Sequence, residues 1–202
     1  METGITPEEL REFEMEIFKL FENGEITSPI HLRGGNEEQL IEIFKSVKRD
    51  DYCFFTWASH LECLLKGVPR EEVKGAILRN KSICLSFEEH NIVSSAIVGG
   101  NAPIAVGAAM GINRGEEEQH VWCFMGDMSY YTGTAQESIR YAETHDLPIT
   151  FVIADNGISV ETPTREVWGD DIVDATARSS KCIRYEYKNV FSHAGIGKEV
   201  LF

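Results

Sequence analysis

Basic residues are scarce in this chain, and two familiar nucleotide-binding patterns are missing from it. The 202 residues include 19 lysines and arginines against 33 aspartates and glutamates, which gives a formal net charge of −14. This imbalance argues against a surface for nucleic acid or anionic membranes, because both need basic patches. No GxGxxG or Walker sequence follows an apolar run, so a simple nucleotide-binding module is not indicated. One bound diphosphate remains compatible with this charge, since a metal ion or helix N-termini can supply a positive field.

Long apolar runs and paired cysteine motifs are also absent. No run approaches the length that spans a bilayer, and the opening METGITPEEL is acidic and unlike a secretion signal. The five cysteines are an odd number without CxxC spacing, so we expect reduced, mostly buried thiols in a cytoplasmic protein. Nothing near Cys63 resembles a base and its orienting group, and packing is therefore its favoured role.

The length and composition fit one folded unit. With 43% hydrophobic residues the chain can bury a sizeable core, so we predict a single domain over residues 1–202 with an N-terminal helical segment over residues 1–27. In that segment, Thr6 and Pro7 indicate a helix start, and apolar residues then recur at helical spacing as far as Phe21.

The stretch from Val121 to Thr164 predicts a strand–helix–strand unit. It opens with VWCFMG, typical of a buried parallel strand, continues with a helical pattern over residues 134–143, and closes with a second apolar run, ITFVIA. Asp127 follows the first strand and Asn156 follows the second. Ligands of open parallel sheets bind at these carboxyl ends, so the two side chains are candidate binding residues.

These two polar residues allow two interpretations. Asp127 and Asn156 offer hard oxygen donors suited to Mg²⁺ or Ca²⁺, and Gly126 and Gly157 leave space beside them for a bulky anion. A metal–diphosphate site is one interpretation, because Mg²⁺ held by one or two protein oxygens usually completes its shell with water and phosphate. The other interpretation is that both residues belong to ordinary turns, where both types are common.

The same stretch resembles the thiamine-diphosphate motif, in which a Gly-Asp pair is followed, across such a unit, by Asn after an apolar strand. With LPITFVIADNGISVETPT at its end, it is similar to α subunits of 2-oxo-acid dehydrogenase E1 components. The resemblance implies that Asp127, Asn156 and the main-chain carbonyl of Ile158 bind Mg²⁺. It also implies that Gly126 and Met128 lie beside the cofactor, thiamine diphosphate.

A second stretch, AIVGGNAP, looks like the Gly-Ile-Val-Gly-x-Gln-x-Pro loop of those α subunits. That loop places backbone groups against the aminopyrimidine ring, and the resemblance gives this role to Ala96, Val98 and Gly99. The small residues also suit a helix packed tightly under a sheet, and the two interpretations are compatible.

Other positions depart from the family pattern. Met128 stands where the family usually has Gly, and Asp155 where it often has Asn, but neither position is a metal ligand in the family. Trp57 and Ala58 occupy the first two places of a Tyr-Arg-x-His segment, and His60 the last, so the resemblance implies that Trp57 lies beside the cofactor. In the family the arginine contacts the diphosphate and the histidine faces the cofactor pocket. The arginine is missing here, which removes a bidentate phosphate clamp.

Three further residues complete the set of candidates. Arg165, on a loop after the metal motif, could replace the lost charge, although an arginine on a loop is usually solvated. His193, after a strand containing Tyr185 and Tyr187, looks like the histidine that contacts the diphosphate in the family. His60 and His193 are therefore the catalytic candidates by resemblance, while His60 could equally be a satisfied buried histidine.

The resemblance implies a fold and a function together. The expected fold class is α/β, a three-layer α/β/α sandwich with a mainly parallel sheet of the thiamine-diphosphate-binding type. The expected function is that of an α-type subunit which binds thiamine diphosphate and Mg²⁺ and acts on a 2-oxo acid, in oxidative decarboxylation or acyl transfer. A β-type subunit with the pyrimidine-binding domain would complete an α₂β₂ assembly. Two alternatives are the N-terminal subunit of a split transketolase and a non-catalytic scaffold relative.

Overall fold

A computed structural model of the chain describes residues 4–115, 117–175 and 179–191. The helices are α1 (Pro7–Glu22), α2 (Glu37–Phe44), α3 (His60–Leu65), α4 (Arg70–Leu78), α5 (Asn101–Gly115), α6 (Asp127–Tyr130), α7 (Gly133–Thr144), α8 (Thr164–Trp168) and α9 (Asp170–Ala175). The strands are β1 (Tyr52–Phe55), β2 (Ile92–Ser94), β3 (Val121–Gly126), β4 (Ile149–Asp155), β5 (Ile158–Ser159), β6 (Thr162–Pro163) and β7 (Cys182–Glu186). Two 3₁₀ turns, Ser82–Cys84 and Glu88–His90, precede β2.

Five strands form one parallel sheet in the order β2-β1-β3-β4-β7. The chain builds outward from β1 to β2, then returns to the other side of β1 and continues through β3, β4 and β7. The strand order therefore reverses between β1 and β3, the position where open parallel sheets hold their ligands. Strands β5 and β6 form a small antiparallel hairpin directly after β4.

Helices cover both faces of the sheet, which confirms the predicted three-layer α/β/α arrangement. Helices α1 to α4 pack on one face against Phe55 and Phe124, while α5 and α7 pack on the other against Phe54 and Met125. Successive strand residues thus enter opposite cores, as expected for strands buried on both faces. In the first core the ring of Phe124 lies 5.2 Å from that of Phe55 and 5.6 Å from that of Phe44, between centroids.

Helix α1 begins as its sequence predicts. The Thr6 hydroxyl accepts a hydrogen bond from the Glu9 N–H at 3.2 Å, and the Glu9 carboxylate accepts one from the Thr6 N–H at 2.8 Å. This capping box satisfies donors that the first turn leaves open. Leu10, Phe13 and Ile17 are fully buried, so the apolar stripe of α1 belongs to the core of this chain.

The sequence interpretation was least accurate after β4. Arg165 was expected on a loop and instead lies in α8, which follows the β5–β6 hairpin. No helix within the described residues combines the length and apolar character needed to cross a bilayer.

The five cysteines are free, and three of them, Cys53, Cys63 and Cys123, are buried. Burial raises the pKa of Cys53 and of Cys123 to about 12 and raises that of Cys63 well above its ordinary value. Since the thiolate is the reactive form, these thiols are inert at neutral pH. Packing, rather than nucleophilic chemistry, accounts for Cys63.

A close approach of two distant segments depends on Gly35. Its φ of +86° lies in the left-handed region, and a Cβ on this residue would stand 2.3 Å from the main-chain oxygen of Lys188. Only glycine permits this contact. Next to it, the Val190 N–H donates to the Gly34 carbonyl at 3.4 Å. The connection before α2 is therefore held against the segment after β7.

The aromatic contacts of the first core predict a large effect of truncation. Phe55→Ala should lower the free energy of unfolding by about 3–5 kcal/mol, because it removes a fully buried ring and leaves a cavity. Urea unfolding followed by circular dichroism measures the change. Met15→Ala, at a side chain 41% exposed on α1, is the matched control and should change the value by less than about 0.5 kcal/mol. Similar losses in both variants would contradict the packing described.

Candidate functional site

A pocket opens at the sheet edge where β1, β3 and β4 end. The space inside it, counted together with the open solvent at its mouth, is about 390 Å³. Six of the residues predicted to bind the cofactor or metal line it: Trp57, Gly126, Asp127, Met128, Asn156 and Ile158. The residues after three neighbouring strands meet here because the strands are parallel and end at the same edge.

Asp127 is the buried acid of this pocket. It is 2% exposed, and its carboxylate accepts a hydrogen bond from the hydroxyl of Thr164 at the start of α8. Burial raises the pKa of Asp127 above its ordinary value, the hydrogen bond from Thr164 acts in the opposite direction, and the negative charge of Asp155 raises it further. The ionised form is therefore poorly compensated by the protein alone. A cation beside it would favour ionisation.

The turn at the end of β4 is held by hydrogen bonds from backbone N–H groups to the side chains of Asp155 and Asn156. The Asn156 side-chain oxygen accepts from the Ile158 N–H at 3.3 Å, and Asp155 accepts from the Gly157 N–H at 3.0 Å. Asp155 also pairs with the Arg184 guanidinium, whose Nε donates to it at 3.0 Å. Asp155 thus faces the β7 side of the sheet. Asn156 and Ile158 line the pocket beside Asp127.

A smaller pocket adjoins the first one and shares Thr56, Trp57 and Ser129 with it. Gly99 lines this second pocket, with a φ of +70°, and a Cβ on it would stand 2.8 Å from the Thr132 hydroxyl oxygen. Of the other two residues predicted from the AIVGGNAP stretch, Ala96 is exposed and Val98 is 48% exposed. Neither is part of the described lining of either pocket, so their predicted contact with a cofactor stays a prediction.

His60 belongs to the described lining of neither pocket, and its predicted catalytic role stays a prediction. The side chain is 2% exposed at the start of α3, in the helical layer. Its Nδ1 lies 2.9 Å from a Glu14 carboxylate oxygen, and its Nε2 lies 2.8 Å from the Ser82 hydroxyl. Both ring nitrogens are occupied by protein groups. The buried-histidine interpretation is the one that the structure supports. His193, the other catalytic candidate, lies outside the described residues.

Arg33 lines the main pocket and was missed by the sequence interpretation, which treated SPIHLRGGN as a glycine-containing connection. Its guanidinium donates to a Glu62 carboxylate oxygen at 3.0 Å and to the Thr56 hydroxyl at 3.2 Å. Arg165, the cation predicted instead, is half exposed and pairs with Asp170 at 2.9 Å. It borders a neighbouring cavity on the β7 side, which Asp127 and Thr164 also line. The sequence offers one local signal for Arg33, which is that this arginine lies between an apolar residue and two glycines.

A metal at this site would depend mainly on neutral oxygens. Among the described residues, no three histidines, cysteines, aspartates or glutamates form a metal-binding group. Asp127 supplies one carboxylate, and Asn156 and Ile158 can supply amide and carbonyl oxygens. Such a set leaves positions open for water or phosphate oxygens, which suits Mg²⁺.

Comparison with known proteins decides the family. The model of the family described as dehydrogenase E1 component matches residues 7–180. The chain belongs to this family. The resemblance drawn from the sequence is therefore confirmed.

Individual relatives of this E1 family member match over about half of their own length. The subunit alpha of acetoin:2,6-dichlorophenolindophenol oxidoreductase is 26% identical in Bacillus subtilis, over 77% of this chain and 50% of the relative. The protein of the same name in Cupriavidus necator is 29% identical, over 76% and 49%. Pyruvate dehydrogenase E1 component subunit alpha from Porphyra purpurea is 27% identical, over 72% and 47%.

A solved structure described as that of a putative thiamin diphosphate-dependent enzyme from Mycobacterium smegmatis is also similar. The matched region covers 64% of this chain and 22% of the chain in that structure, with 20% identity and a TM-score of 0.44. That score is too low to support a conclusion about this chain.

The hydrogen bonds of His60 predict a structural role. His60→Ala should lower the free energy of unfolding by about 2–4 kcal/mol, because it leaves a cavity and removes the partner of a buried Glu14 carboxylate. Thermal and urea unfolding provide the measurement. The exposed His145 supplies the control, since His145→Ala should be nearly neutral. A His60→Ala variant as stable as the parent chain would show that the ring is not needed where it lies.

Proposed function

We propose that this chain is the α-type part of an E1 enzyme, binding the diphosphate of thiamine diphosphate and Mg²⁺ and acting on a 2-oxo acid. The observation that supports it is the meeting of Asp127, Asn156, Ile158 and Arg33 in one pocket, in a member of the E1 family. The relatives named above are all α subunits. Their names motivate the proposal for this chain.

The residues present fit such a group. Asp127 would bind Mg²⁺ through its carboxylate, and Asn156 and Ile158 would add neutral oxygens. The unpartnered polar group that best matches a phosphate is the Arg33 Nε, which is buried and has no hydrogen-bond acceptor. Small residues of the lining, Ala58 among them, leave space beside it.

The division of work between cofactor and protein follows from these contacts. Thiamine diphosphate, when bound, would supply the electron sink that decarboxylation of a 2-oxo acid needs. The protein would hold the metal through Asp127 and orient that carboxylate through the Thr164 hydroxyl. The shared edge of the two pockets would align a long ligand across the ends of β1 and β3.

Few of the described residues that line the pocket can transfer a proton, which supports a partner. Asp127 is the only acid and Tyr187 the only phenol among its described lining residues, and no histidine belongs to that lining. We therefore include in the proposal a β-type subunit carrying the pyrimidine-binding domain, and self-association to α₂β₂. Exposed apolar side chains near the second pocket, Ile97 at 73% and Ile104 at 56%, suit burial in such an assembly.

Calorimetric titration tests the cofactor site directly. The full chain, with and without a co-purified candidate β-type chain, is titrated with thiamine diphosphate in the presence and absence of Mg²⁺. We expect binding that needs Mg²⁺ and that Asp127→Ala weakens by more than about 10-fold, since even outer-shell partners of metal ligands contribute about 10- to 100-fold. Asp146→Ala, at a carboxylate 94% exposed, is the matched control and should leave affinity unchanged.

Two outcomes of this experiment would overturn the proposal. If chain and partner together bind no thiamine diphosphate, the scaffold alternative gains support. If Asp127→Ala binds as tightly as the parent chain, the metal is not held as proposed. Decarboxylation of a 2-oxo acid by the single chain would contradict the need for a β-type subunit, because we expect turnover only when both chains are present.

A further inference from the structure

We propose that Arg33, brought from the connection before α2, is the cation that binds the phosphate groups in the main pocket. This assignment rests on the proposed function, because it takes a diphosphate as the ligand. It concerns a residue that the sequence motif does not contain. The positive charge reaches the pocket through tertiary packing of the N-terminal part of the chain.

The geometry of the guanidinium supports the assignment. The Arg33 side chain is 9% exposed and lines the pocket together with Asp127 and Asn156. Glu62 and Thr56 occupy its terminal nitrogens at 3.0 and 3.2 Å. The remaining nitrogen, Nε, is buried without an acceptor. A buried N–H of a charged group without a partner is costly, so an acceptor from a ligand would stabilise the site.

The charge balance of the site points in the same direction. Mg²⁺ and the Asp127 carboxylate together carry one net positive charge, which is less than the negative charge of a diphosphate ester. A further cation therefore lowers the electrostatic energy of the bound state. Arg33 is the only lysine or arginine in the lining formed by described residues. Its planar, delocalised charge also suits two-point contact with phosphate oxygens.

The Arg33 segment is held in place before any ligand arrives. Its main-chain N–H donates to a Glu14 carboxylate oxygen at 2.9 Å, and the other oxygen of that carboxylate lies 2.9 Å from the His60 Nδ1. Ser82 fixes the other side of the His60 ring. This chain of buried contacts makes Glu14 and His60 positioning residues for Arg33. A preorganised cation loses little side-chain freedom on binding, which favours affinity.

The ion pair with Glu62 restrains the charge of Arg33. Glu62 is 1% exposed, and one of its carboxylate oxygens has no hydrogen-bond partner. Burial raises the pKa of Glu62, while the neighbouring Arg33 lowers it. Removing the negative charge of Glu62 would therefore leave more positive potential in the pocket. Arg33→Met should therefore weaken phosphate binding, and Glu62→Gln should tighten it. Purely structural roles for these residues would not give effects of opposite sign.

The test uses the full chain, with its β-type partner if binding requires it, and calorimetric titration with Mg²⁺ plus either thiamine diphosphate or inorganic pyrophosphate. Arg33→Met should weaken binding of both by roughly 10- to 100-fold, as loss of a charged hydrogen bond does. Glu62→Gln, which keeps the side-chain shape, should tighten binding several-fold. Arg140→Met is the matched control and should have no effect, since that arginine is exposed on α7 and lines neither cavity that contains Asp127.

A rescue variant separates a lost charge from a damaged fold. Ala58 lines the same pocket, so an arginine at this position would return a positive charge to the pocket of Arg33→Met. Arg33→Met/Ala58→Arg should recover at least about 10-fold of the lost affinity, if charge at this place is what matters. Circular dichroism of each variant establishes that it is folded.

The outcomes distinguish this proposal from the function on which it rests. Failure of the parent chain to bind either probe would overturn the proposed function. Tight binding by the parent chain that Arg33→Met retains would overturn only the role of Arg33. If Arg33→Met does not fold, the sign of the Glu62→Gln effect decides: tighter binding supports the role of Arg33, and unchanged or weaker binding contradicts it.

Discussion

The register of β3 against β4 is the constraint on which the site depends. The two strands pair from Val121 opposite Ile149 to Gly126 opposite Ala154, so both strands end at the same edge of the sheet. Asp127 and Asn156 consequently enter one pocket. A slip of one residue would reverse the faces of the strand, moving Phe124 and Met125 into the wrong cores. The apolar packing on both faces therefore fixes the positions of the polar residues at the edge.

The helical layer over this sheet contains an unusual number of buried charges. Arg33, Glu14, His60 and Glu62 form one connected group, and Lys66 donates to two main-chain carbonyls at 2.7 and 2.8 Å. Buried ion pairs are weak contributors to stability, and apolar replacements of the same volume are often at least as stable. Their presence next to a pocket is better explained by what they position. The layer that packs on the sheet therefore also holds Arg33, the positively charged residue in the described lining of the pocket.

The sequence allowed the central unit to be predicted because its signals are local. Apolar runs bounded by Gly126 and Asp155 predicted β3 and β4 closely, and the family inferred from them is confirmed. The surroundings of His60 were left open because a motif gives a position in the chain but not the direction of a ring, which here depends on Glu14 and Ser82. Arg33 was missed for a related reason. Its place beside Asp127 results from contacts between segments far apart in sequence, which periodicity does not reveal.

The contact between Gly35 and Lys188 has a consequence for the order of assembly. On a ribosome the segment with Arg33 is synthesised well before the segment after β7 that packs against Gly35. Contacts of such large sequence separation form late, because closing the intervening loop costs entropy that only the finished sheet returns. The contact between Gly35 and Lys188 would thus form after the central strands have paired. A nascent chain truncated before β7 would contain Asp127 at the sheet edge but would lack Tyr187, which lines the same pocket, and Lys188, which packs against Gly35.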